Sequence, residues 1–64
     1  MIEEMITNLA DSLLRKEQPT LQDVEDCASE ILPLVRRHYP KDNVTKQFIV
    51  DIIAADRKIY QLAS

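Results

Sequence analysis

The sequence predicts an all-α fold, a small bundle of three amphipathic helices. Two observations carry that reading. Apolar residues recur at alternating steps of three and four in three separate stretches, and proline with Asx chemistry punctuates the intervals between them. The stretches are Ile2, Ile6, Leu9, Leu13; Leu21, Val24, Ala28, Ile31, Val35, His38; and Phe48, Ile52, Ala55, Ile59, Leu62. At 64 residues the chain has room for a single domain, residues 1–64, and none for a deep, closed active-site cavity.

The first helix is expected over about residues 2–16, with Asp11 and Arg15 one turn apart as a supporting ion pair. Pro19 ends it. Thr20-Leu21-Gln22-Asp23 then reads as a helix start: the Thr20 hydroxyl can accept from a free amide, and Asp23 and Glu25 suit the positive end of the helix dipole. The second helix covers about residues 20–38, and Arg36, Arg37 and His38 suit its negative end. Pro33 interrupts the backbone hydrogen bonding but not the apolar phase, and on a helical wheel it lies opposite Ala28, on the solvent side. One helix bent at Pro33 is expected, with two shorter helices meeting near Leu32 as the alternative.

Tyr39-Pro40-Lys41-Asp42-Asn43 forms the second connection, and Asp42 or Asn43 is placed to cap a third helix over about residues 43–62. The chain has no glycine, so both connections rely on proline and Asx residues. Measured from Ile52, the apolar arc of the third helix spans about half its circumference, with Ile49, Ile53 and Tyr60 on one edge and Val44 and Leu62 on the other. Val50 lies nearly opposite Ile52. An arc this wide touches two neighbours, so the helix is central to the fold or part of a subunit interface. A homodimer that completes the bundle is expected, with Ile49, Val50, Ile53, Asp56 and Tyr60 at its interface.

Asp56 falls inside that arc, where a carboxylate is costly unless paired. It reads as an acid at the core edge, held by Arg36, Arg37, His38 or the Tyr60 hydroxyl. No nucleophile, second acid or oxyanion donor accompanies it, so the general-base alternative finds no support. Cys27 and His38 share one flank of the second helix but lie about 16 Å apart along it, too far for a Cys–His pair, and both read as packing residues. One cysteine and one histidine supply neither a disulfide nor the ligands of a zinc site. No metal, cofactor or catalytic set is expected.

Charge is segregated along the chain. Residues 1–32 hold eight acids against Arg15 and Lys16, whereas residues 33–64 hold six bases against Asp42, Asp51 and Asp56. Asp23, Asp26 and Glu30 line the outward face of the second helix, and Arg36, Arg37, Tyr39, Lys41 and Lys46 form a basic turn. These are the candidate partner-binding residues. No run approaches the roughly 18 apolar residues that span a bilayer, and the acidic start Met1-Ile2-Glu3-Glu4 lacks the basic region of a secretory signal. A cytoplasmic setting is expected.

The function that follows is a non-enzymatic protein–protein interaction module, an adaptor or inhibitor working through helix faces, a build shared by phage and mobile-element accessory proteins. The alternative is a DNA-binding transcriptional regulator using the third helix, set in a major groove with Asn43, Thr45 and Gln47 near base edges, and the basic turn 36–46 against phosphates. An acidic pI near 4.9 and a connection without a glycine turn weigh against it.

Overall fold

In the computed structural model, which describes residues 1–59, the chain forms α1 (Ile2–Leu13), α2 (Leu21–His38) and α3 (Lys46–Asp56), each packed against the other two. The shared core is built from Ile6, Ala10 and Leu14, from Val24, Cys27, Ala28, Ile31 and Val35, and from Val44, Ile49, Val50 and Ile53. No described helix is long and apolar enough to cross a membrane.

Helix α1 opens with Glu3 and Glu4 in its first turn, where their charges suit the positive end of the dipole. It stops at Leu13, short of the expected Lys16. Leu14 leaves helical geometry at φ −108° and ψ 85°, and its N–H still reaches the Ala10 carbonyl at 2.7 Å. The departure rotates Leu14 into the core and leaves Leu13 half exposed, the reverse of the sequence expectation. The chain turns there toward α2, and Lys16 pairs with Asp23 at the start of that helix, Nζ to Oδ2 3.0 Å. Asp11 does not pair with Arg15, whose Nε donates to the Ser12 carbonyl. Its ion-pair partner is Arg57.

Helix α2 starts as its sequence indicates. The Asp23 N–H donates to the Thr20 hydroxyl at 3.1 Å, and the Thr20 N–H donates back to the Asp23 carboxylate at 2.9 Å, a reciprocal capping box. The Thr20 N–H, with help from the Lys16 ammonium and the Thr20 hydroxyl, holds the Asp23 carboxyl below its ordinary pKa. A depressed carboxyl adds stability above the unfolded-state pKa of about 4, and that stability is lost as pH falls through the folded-state value. Thermal melts followed by circular dichroism should therefore show a stability loss on acidification below about pH 4 that is smaller in Asp23→Asn. Thr20→Ala removes the cap acceptor and should cost about 1 kcal/mol.

The helix runs unbroken through Pro33, so two helices meeting near Leu32 do not form. Pro33 is exposed, as is Ser29, whose carbonyl loses its main-chain donor to the proline. The buried positions Val24, Cys27, Ala28, Ile31 and Val35 trace one face. His38, expected at the core edge, is exposed because the helix ends beneath it.

The second connection is held from inside. Val44 is buried and its carbonyl accepts from the Arg36 Nε at 2.9 Å, while Asn43 takes a left-handed turn at φ 49°, a conformation asparagine tolerates. With Val44 inward, Thr45 becomes the N-cap of α3, its hydroxyl accepting from the Phe48 N–H at 3.1 Å. Neither Asp42 nor Asn43 takes that role. Helix α3 ends at Asp56 in a Schellman motif: the Ile59 N–H reaches the Ala54 carbonyl at 2.8 Å and the Lys58 N–H the Ala55 carbonyl at 3.2 Å. Lys58 sits there at φ 57°, where glycine avoids the Cβ penalty. Lys58→Gly should stabilise the domain by about 1 kcal/mol, raising its melting temperature by about 4–8 °C.

The inward face of α3 corrects the sequence reading. Ile49 and Ile53 are fully buried and Val50 nearly so, whereas Ile52 is only half-buried at the edge of the core. Val50 therefore points toward the interior, not toward solvent.

Candidate interaction surface

Two residues proposed for a subunit interface, Ile49 and Ile53, have no surface to offer a partner, and Val50 has almost none; all three pack within the chain's own core. The wide arc of α3 is used by α1 on one side and α2 on the other. Asp56 is exposed, because the last turn of α3 carries it past the core, and none of Arg36, Arg37 or His38 holds it. Tyr60, and Leu62 with it, lies outside the described residues.

The eight partner-binding candidates divide by what already engages them. Asp23 is committed to the Thr20 cap and to Lys16. Arg36 is committed to the Val44 carbonyl. Tyr39 is half-buried against the core, and its N–H closes α2 on the Val35 carbonyl. These three shape the fold. Asp26, Glu30, Arg37, Lys41 and Lys46 are exposed, and no ion pair among the described residues includes any of them. Among the described residues Asp26 accepts only from Gln22, one turn earlier, at 3.0 Å.

Helical spacing gathers most of these free charges on one surface. Asp26, Glu30, Pro33 and Arg37 follow at steps of four, three and four along the outward side of α2, beside Leu34 with 43% of its surface exposed. Lys41 follows in the turn beyond. Acids thus occupy the first part of this face, an apolar residue and a proline its middle, and bases its end. Lys46 stands apart, at the start of α3, the helix that also carries Phe48, which is 39% exposed.

The recesses offer little chemistry. Among the described residues no polar or charged side chain is buried, and no cluster of His, Cys, Asp and Glu is arranged to hold a metal. The groove between α2 and α3 is open and is lined by Leu21, Glu25, Gln47, Val50, Asp51, Ala54, Ala55 and Ile59. Asp51 there accepts from Gln47 at 2.8 Å, and among the described residues the groove lining includes no histidine, hydroxyl, thiol or cation. Cys27 is buried, and desolvation, reinforced by the Glu30 charge and opposed by Arg57, raises its thiol pKa. Such a thiol is a weak nucleophile at neutral pH.

One residue escaped the sequence reading altogether. Arg57 extends from the end of α3 to that of α1, its Nη2 donating to the Ala10 carbonyl at 3.4 Å and to the Asp11 carboxylate at 3.1 Å. Helix α1 has no basic residue in its own last turn, and Arg57 supplies that charge from a distant part of the chain. Nothing local in the sequence signals it.

Comparison of the chain with protein-family models, with curated proteins and with solved structures finds no match.

Proposed function

We propose that this chain is a non-enzymatic binding module, an adaptor or inhibitor, that engages a protein partner through the outward face of α2. The observation that carries the reading is a division of labour. Within the described residues the interior is wholly free of polar and charged side chains, while Asp26, Glu30, Leu34 and Arg37 stand together on the outside. An enzyme needs polar groups converging in a recess. A binding surface needs an apolar contact ringed by charges that choose the partner.

DNA binding through α3 is less well supported. The exposed side of that helix carries Asp51 and Asp56 beside Lys46, and carboxylates there would oppose phosphates. Thr45 and Gln47, two of the three residues expected near base edges, are already engaged by the Phe48 N–H and by Asp51.

The test is affinity capture from nuclease-treated lysate of the source cells, read by mass spectrometry. Wild type is compared with Asp26→Lys/Glu30→Lys and with Lys46→Glu, each first shown to melt like wild type. The expected result is a protein retained by wild type and by Lys46→Glu but lost from the α2 variant. Equal capture by all three, or capture abolished by nuclease, would overturn the proposal.

A further inference from the structure

The outward face of α2 is complementary to itself, and we propose that its partner is a second copy of this chain, paired antiparallel about a two-fold axis that crosses the helix beside Pro33 and Leu34. This rests on the reading of that face as the binding surface and names its occupant. Glu30 and Arg37 lie seven residues apart on the same face, about 10 Å along the helix, too far to pair within one chain. Each lies about 5 Å to one side of the proposed axis. The two-fold therefore sets Glu30 of one copy opposite Arg37 of the other, twice over, and brings the turn bearing Lys41 toward Asp26.

The middle of the face supports the same register. Leu34, exposed in the single chain, lies beside the axis and meets Pro33 and Leu34 of the second copy. Between Glu30 and Arg37 the residues on this face are Pro33 and Leu34; Arg36 is exposed too, but it is turned to the side and donates to the Val44 carbonyl, and Ile31 and Val35 point into the core. A parallel pairing would set acid against acid and base against base, so the charge order selects the antiparallel arrangement. Acid at the start of a helix and base at its end also suit the dipole, but the dipole accounts for neither the exposed leucine between them nor the alignment of Asp26, Glu30 and Arg37. A single helix face forms a small interface, so the association is expected to be weak and reversible.

The experiment is sedimentation equilibrium of the full chain between about 10 µM and about 1 mM, the range suited to a weak interface. It compares wild type, Glu30→Arg, Arg37→Glu and the exchange Glu30→Arg/Arg37→Glu, with circular dichroism melts confirming that each folds. Wild type should rise from the 7.4 kDa chain mass toward twice that value as concentration increases. Each single reversal sets like charges opposite one another and should weaken association at least tenfold, whereas the exchange should restore it. A wild-type mass that stays at one chain throughout, single reversals that associate like wild type, or an exchange that fails to restore association would each overturn the self-pairing. Loss of a captured protein from the Asp26→Lys/Glu30→Lys variant alongside a strictly monomeric wild type would refute self-pairing while leaving the function proposed above standing.

Discussion

Ile53→Ala is expected to remove a large share of the domain's stability. Ile53 is fully buried at the meeting of α3 with the other two helices, and truncating such an isoleucine costs about 2–5 kcal/mol. A domain of this size has only about 3–10 kcal/mol to lose. Urea titration followed by circular dichroism should show a midpoint far below that of wild type, or no folded baseline. The neighbouring substitution gives the contrast. Ile52→Ala at the half-buried edge should cost clearly less, and Asp56→Asn, at an exposed position, should stay within about 0.5 kcal/mol of wild type. If Ile52→Ala were the more damaging of the two isoleucine variants, the inward face of α3 would be the one its periodicity suggests.

Arg57→Ala is the second large effect expected, about 1–2 kcal/mol after allowing for its partial exposure. The substitution takes from the Ala10 carbonyl its only side-chain donor among the described residues and withdraws a cation from the negative end of α1. Asp11→Asn keeps the contact with the carbonyl and should cost less, since Asp11 is 64% exposed and its ion pair is weak. Amide hydrogen exchange gives a local check: protection in the last turn of α1 should fall in Arg57→Ala and persist in Asp11→Asn. Arg57 also opposes the upward shift of the Cys27 thiol, so its loss should make native Cys27 still less reactive toward alkylating reagents at neutral pH.

These two residues also mark how far the sequence could be read. Three helices, their order and the Thr20 start are legible, because a stripe at steps of three and four and a hydroxyl before it are local signals. The face of α3 is not. Nearly every residue from Phe48 to Ala55 is apolar, and only Asp51 interrupts them, so the stripe has no clear centre. A helix expected over residues 43–62 places the apparent centre near Ile52. Once the helix is confined to Lys46–Asp56, burial singles out Ile49, Val50 and Ile53.

The same difficulty arises wherever two similar residues compete for one role. Leu13 and Leu14 are equally apolar, and only the path to α2 decides that Leu14 goes in. Asp42, Asn43 and Thr45 can all cap a helix, and burial of the intervening Val44 selects Thr45. Arg57 is invisible for a different reason: its partner lies 47 residues away in sequence. Of the candidate surface, the sequence reveals the charged residues but not which of them the fold consumes. Asp23, Arg36 and Tyr39 are spent on caps and packing, and that separation leaves the α2 face.

The claim that this face is the functional surface is tested most directly by amide spectra of the ¹⁵N-labelled chain, recorded while nuclease-treated lysate of the source cells is added. The account predicts selective shifts or broadening at Asp26, Glu30, Leu34, Arg37 and Lys41, with α3 unaffected. Perturbation centred on Lys46 and Phe48 while the α2 face stays silent would contradict it.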